Sequence, residues 1–240
     1  MSQGTNANFN SGLINPGEGS EDSQRSAMFT LIKEERIEEA IAFIGRAHDA
    51  SKLVNLVNPD DKRTVLFIAA QVKSFQKAVE ISKSLLDFGA YVNHCDGYGQ
   101  TALFFAAAEG NTDLIRLLIE RGARLNEEDG FKQTALFYAA REGHLSAVKE
   151  MISKGAEVDH LDQIKETPLF YAASKGQKDM CQLLVENGAN VNAVDDKKQT
   201  AMFFALKSNH IAVVDYLVSV GAIKTKDGRI TRVELLKPKS

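Results

Sequence analysis

A seven-residue word recurs along this chain at a fixed step: TALFFAA from Thr101, TALFYAA from Thr134, TPLFYAA from Thr167 and TAMFFAL from Thr200, each 33 residues after the last. Two looser copies lie upstream, TVLFIAA from Thr64 and SAMFTLI from Ser26, at steps of 37 and 38 residues. A unit this short cannot bury its own apolar face, so copies must stack on their neighbours into one elongated body. That constraint overrides the about two globular domains that the length alone suggests.

Each copy reads as the same small structure. In the one at Thr101, Asp96-Gly97-Tyr98-Gly99 is turn chemistry, since glycine accepts positive φ and Asp bonds back to its own backbone. Thr101 stands where an N-cap belongs, offering its hydroxyl to the first free N–H groups of a helix. Leu103, Ala106 and Ala107 give that helix an apolar side, with alanines where another helix must come close. Gly110-Asn111 ends it. A second helix is predicted over Thr112 to Glu120, broken by Gly122, after which Ala123-Arg124-Leu125-Asn126 leads out to the next turn.

The pattern D-x-x-G-x-T-A/P-L-x-x-A-A…G-x…L-L…G-A-x-V-N resembles the ankyrin repeat, over residues 26 to about 222. The resemblance implies an all-α solenoid of paired antiparallel helices with β-hairpin or turn fingers, its units starting near 26, 64, 101, 134, 167 and 200. This chain departs from the family in one column. Phe29, Phe67, Phe104, Phe137, Phe170 and Phe203 stand where the family usually has His after T-P-L. They predict an aromatic column along the stack, each ring packed on the next unit. His144 and His210 fall where the family often has His after the helix-ending turn, and read as structural.

Outside the regular copies, residues 1–25 are rich in Ser, Asn and Gly and read as a disordered arm, with Phe9, Leu13 and Ile14 as its few apolar residues. Residues 223–240 read as a basic C-terminal cap or tail, in which Ile230, Val233, Leu235 and Leu236 suit a short helix closing the stack. The surplus of the first two units falls in Gly45–Asn58 and in Val72–Leu85, and reads as loop extension. Asn192 reads as a turn asparagine bonding its own hairpin.

Several function classes are disfavoured. A net charge of −3 argues against a nucleic-acid binder that works by neutralising phosphates. No apolar run is long enough to span a bilayer, and residues 1–25 lack the pattern of a signal peptide. Cys95 and Cys181 lie more than two repeats apart in a linear stack, so they are expected as free thiols of a cytoplasmic or nuclear protein. His48, His94, His144, His160 and His210 show no zinc spacing with the cysteines. Phosphate loops, nucleophile elbows and paired-carboxylate motifs are missing. The expectation is a non-enzyme without cofactor, metal or small-molecule substrate, monomeric on its own, whose partner is a protein or peptide.

The positions that the repeat leaves free carry the site prediction. Tyr98, Phe131 and Ile164 are turn tips, with Lys197 in the same column. Gln100, Gln133 and Glu166 stand just before the first helix. Phe105, Tyr138 and Tyr171 follow the Phe column, and Glu109, Glu142 and Lys175 come one turn later. In ankyrin-like stacks the tips and first helices line a concave groove, so the resemblance implies partner binding by these residues. Exposed apolar tips in a row would mark an interaction patch, and aromatics are common hot spots. Glu109 and Glu142, with Glu127, Glu128 and Asp129 nearby, predict a Lys- or Arg-bearing partner over the middle of the groove. Lys175 and Lys197-Lys198 turn its far end basic. The function expected is an adaptor or complex subunit. The alternative is a chromatin or signalling regulator that recognises a basic peptide tail, methyl-lysine among the candidates.

Overall fold

The computed structural model describes residues 19–223, 225–226 and 229–230. Its helices come in pairs, as the repeat predicts. After α1 (Glu21–Lys33), α2 (Ile37–Gly45) and the short α3 (Ala50–Val54) come α4 (Val65–Ala70) and α5 (Phe75–Asp87). The regular units follow: α6 (Ala102–Glu109) with α7 (Thr112–Glu120), α8 (Ala135–Glu142) with α9 (Leu145–Ser153), α10 (Pro168–Ser174) with α11 (Lys178–Glu186), and α12 (Ala201–Lys207) with α13 (Ile211–Ser219). First helices stack on first helices from α1 through α4, α6, α8 and α10 to α12, and second helices on second helices from α2 to α13. One continuous core runs between the two rows. The all-α solenoid expected from the sequence is the observed fold.

Local chemistry explains the joints. Ala106 and Ala107, with Ala139 and Ala140 in the next unit, are fully buried, and their small size lets the first helices approach one another. Gly110 and Gly143 end α6 and α8 at φ of 74° and 84°, a region that only glycine enters freely. Asn111 accepts a hydrogen bond from the Leu114 amide and donates one to the Phe75 carbonyl of the preceding unit. His144 bonds the Ala108 carbonyl at 2.8 Å and His210 the Ser174 carbonyl at 3.0 Å, and Gln177 donates to Arg141 O in the same register. These histidines are structural staples between units.

Several local expectations are corrected. Thr101, Thr134 and Thr167 do not cap their helices through the hydroxyl. They are only 1% exposed in the unit interface, and the backbone carbonyl receives the first helical N–H instead. Thr200 alone in this column caps through its side chain, accepting from the Phe203 amide. The first helix begins at Glu21 rather than Ser26, because Ser20 takes the N-cap with Glu21 and Asp22 in the first turn. The Gly45–Asn58 surplus folds into α3. The Val72–Leu85 surplus gives α5 its 13 residues against 9 in α7, one added turn of helix. Asn192 reaches across units: it accepts from the Ile223 amide and donates to the Gly221 carbonyl, as Asn93 does to Arg124 and Gly122. Ile230 lies in a two-residue strand, β2 (Arg229–Ile230), antiparallel to β1 (Thr225–Lys226), where a helix was expected to begin. Phe9, Leu13 and Ile14, and the segment from Val233 to Leu236, lie outside the described residues.

Candidate partner-binding face

The fingers that join the units are built around a buried aspartate. Asp96 is 6% exposed, and its Oδ1 accepts from the Tyr98 and Gln100 amides at 2.9 and 3.0 Å. Asp129, Asp162 and Asp195 hold the next three fingers in the same way. These loops therefore have a fixed shape, set by an Asx turn. Backbone rungs then tie each tip to the next: Gly130 N–H donates to Tyr98 O at 2.8 Å, Gln163 N–H to Phe131 O at 2.9 Å, and Asp196 N–H to Ile164 O at 3.1 Å. The tip side chains Tyr98, Phe131 and Ile164 are 62%, 58% and 50% exposed. They form a continuous apolar edge, held by backbone on one side and open to water on the other.

Behind this edge, the two aromatic columns form a single ladder. Phe67, Phe104, Phe137 and Phe170 each meet not the matching Phe of the next unit but the residue after it, while Phe203 meets Phe204 of its own unit. Phe67 packs edge-on against Phe105 at 5.6 Å, Phe104 against Tyr138 at 5.4 Å, and Phe137 against Tyr171 at 5.7 Å. Phe170 continues the series with Phe204 at 5.8 Å. Such pairs contribute about 0.5–1.5 kcal/mol each beyond burial. Phe105, Tyr138 and Tyr171 are thus half-buried bridges between units.

The polar groups of the same residues are also engaged. Gln100 donates to the Tyr138 hydroxyl at 2.6 Å, which donates to Asp129 Oδ2 at 2.6 Å. Gln133 donates to the Tyr171 hydroxyl at 2.7 Å, which donates to Asp162 Oδ2 at 2.7 Å. Gln133 is buried, and its amide also reaches Asp162. Burial first, and the bond to the aspartate next, hold both tyrosine hydroxyls well above the ordinary phenol range. Where a unit has Phe in place of Tyr, the aspartate needs another donor. At Phe105 it has one: Arg63 lies over the ring at 4.6 Å and donates to Asp96 Oδ2 at 3.0 Å. At Phe204 the residue in the Arg63 position is Glu166. Burial, then the charges of Asp162 and Asp195, push the Glu166 carboxyl up to about 7.

The acids that pointed to a basic partner are largely answered within the chain. Asp129 is buried and bonded, Glu142 pairs with Arg141 at 2.9 Å and Glu127 with Arg124 at 3.3 Å, while Glu128 lies 3.2 Å from the His160 ring, which pairs with it only when protonated. Glu109 and Lys175 are exposed at the ends of the first helices. Cys95 is exposed and Cys181 buried, and both are free; burial pushes the Cys181 thiol up to about 12. No helix among the described residues is long and apolar enough to cross a membrane.

A model of ankyrin repeats matches the chain in three copies, over residues 37–129, 66–162 and 136–227. The chain belongs to the ankyrin-repeat family. Ankyrin repeats are generally protein–protein interaction modules and are typically non-catalytic. A search of curated proteins finds no match.

The ankyrin array also has surface features outside the residues that its sequence singled out. At its N-terminal end, Phe29, Lys33, Asp61, Ile68, Gln71 and Lys77 line a cleft of about 1040 Å³ between α1 and α4. The 33-residue alignment misses it, because the first two units carry extra residues and depart from the consensus. The broken step at Thr64 is the one signal that could have marked it.

Proposed function

We propose that this ankyrin-repeat protein is a non-catalytic adaptor or complex subunit that holds a protein partner on its fingers and first helices, the concave side of the array. The observation that carries this reading is the row Tyr98–Phe131–Ile164. Three large apolar side chains stand in water on adjoining, internally braced loops, where the fold itself gains little from them. Rigid fingers reduce the ordering that binding would otherwise require. Gln100, Phe105, Gln133, Tyr138 and Tyr171 act here by fixing the fingers to the helices, Glu166 adds a carboxylate beside Asp162 and Asp195, and Glu109, Glu142 and Lys175 border the face. Two unpaired cysteines support a place in the cytosol or nucleus.

The test is photocrosslinking in the native cell, with a benzophenone amino acid placed at Phe131 or at Lys149 on the exposed side of α9. A defined adduct from position 131, lost when Tyr98 and Ile164 are both changed to Ser, is the expected result. Adducts from Lys149 alone would overturn the assignment of this face.

A further inference from the structure

We infer that the partner segment seated on the fingertips is acidic and apolar, and that a column of left-handed lysines recognises its carboxylates. The inference rests on the function proposed above and adds the chemistry of the ligand.

Three positions after each finger aspartate, or at the matching place in the second unit, the backbone enters the left-handed region. The residues there are Lys62, Gly99, Lys132, Lys165 and Lys198, with φ of 62°, 79°, 58°, 64° and 64°. Glycine takes this conformation without strain, and Asn or Asp tolerates it through local hydrogen bonds. Lysine has neither advantage, so the turn itself gives no reason for lysine in four of these five places. What lysine adds is a charge at the tip, beside Tyr98, Phe131 and Ile164 and on the same edge.

That charge is available. Among the described residues, Lys62, Lys132, Lys197 and Lys198 make no ion pair, and Lys165 has only Asp196 at 3.4 Å. From Tyr98 to Lys198, the exposed tips carry Lys132, Lys165, Lys197 and Lys198 against the exposed carboxylate of Asp196, with the half-buried Glu166 acting on Lys197. Of the acids at the base of the fingers, Asp129 is bonded to Tyr138 and Glu127 pairs with Arg124, which leaves Glu128, beside the His160 ring, as the one facing no permanent cation. The unanswered charge on this edge is therefore positive, although the whole chain carries −3. Apolar tip and lysine stand side by side in the fingers at Phe131-Lys132 and Ile164-Lys165, and the last finger carries Lys197-Lys198. An extended segment with apolar and acidic side chains complements that edge in both shape and sign. The chain's own residues 224–240, with six basic and two acidic groups, have the wrong sign to occupy it.

The experiment is selection of phage-displayed random linear peptides on the immobilised full chain, followed by fluorescence anisotropy of the enriched peptides against three proteins: the native chain, K132E/K165E/K198E and Y98S/F131S/I164S. Circular dichroism verifies that both variants fold, since every changed side chain is solvent-exposed. The expected result is enrichment of Asp- or Glu-bearing apolar peptides. Their affinity should fall about tenfold or more in each variant, and fall with added salt on the native chain. Enrichment of basic peptides that lose affinity only in the tip variant would overturn the acidic ligand while leaving the docking face intact. A blank selection alongside a successful crosslink from position 131 would overturn the extended segment alone. Enriched peptides indifferent to both variants would overturn the inference and the face together.

Discussion

Replacing Glu166 by Gln should stabilise the protein at alkaline pH and do little at mildly acidic pH. In the homologous places Arg63, Gln100 and Gln133 each present a donor to the finger network, whereas Glu166 presents a second carboxylate beside Asp162 and Asp195. Its carboxyl is raised to about 7 from a reference of 4.5, first by burial and then by those two charges, while the Tyr171 hydroxyl and Lys197 pull back. The folded protein thus binds this proton more tightly than the unfolded chain. The stability linked to it is present below the ordinary carboxylate range and is lost as pH rises to about 7. A tenfold change in proton affinity is about 1.4 kcal/mol. The full displacement corresponds to about 3 kcal/mol, which residual solvent screening reduces to about 1–2 kcal/mol. Glutamine cannot ionise, and its amide can donate to Asp195 as Gln133 does to Asp162 at 3.3 Å. Urea unfolding by circular dichroism at pH 5 and pH 8 measures the difference between the variant and the native chain, in which other titrations cancel. A gain of about 1–2 kcal/mol at pH 8 that shrinks to about a quarter of that at pH 5 is expected. A pH-independent difference, or destabilisation at pH 8, would refute the assignment of Glu166 as a strained carboxylate.

Three further outcomes follow from the same geometry. Tyr138→Phe and Tyr171→Phe keep the ring ladder but strip Asp129 and Asp162 of a donor, so each should cost about 1–2 kcal/mol, whereas Phe204→Tyr should stabilise by offering Asp195 the missing hydroxyl; thermal melts compare the three. Gly176→Ala should be far more damaging than Gly188→Ala, since a Cβ at Gly176 would lie 2.5 Å from the His210 ring while Gly188 faces open space, although both have positive φ; urea midpoints at constant slope read the contrast. Lys132→Gly and Lys198→Gly should each raise stability, by about 1 kcal/mol at most once the greater freedom of the unfolded chain is set against relief of the left-handed strain, while weakening capture of the acidic peptides; a loss of stability would contradict the strain argument.

The architecture is legible in the repeat. The 33-residue step fixed the stacking direction, the glycines fixed the helix ends, and the alternation of small and large apolar residues fixed which side of each helix faces its neighbours. All of these are short-range constraints, each contained within one repeat. The tertiary structure decided what depends on one unit meeting another. Single-repeat reasoning assigned Thr101 to a cap, yet stacking buries it. It separates Phe104 and Tyr138 into two columns, yet stacking packs them edge-on across the unit interface at 5.4 Å. It also leaves the acids at Glu127 and Glu142 free, yet folding gives each an arginine. The lysines at the tips are visible as letters, but only the folded fingers show that Lys165 meets Asp196 while Lys132, Lys197 and Lys198 make no ion pair among the described residues. Charge pairing is a property of three-dimensional neighbours, and that is why the sign of the candidate face could not be read from the repeat alone.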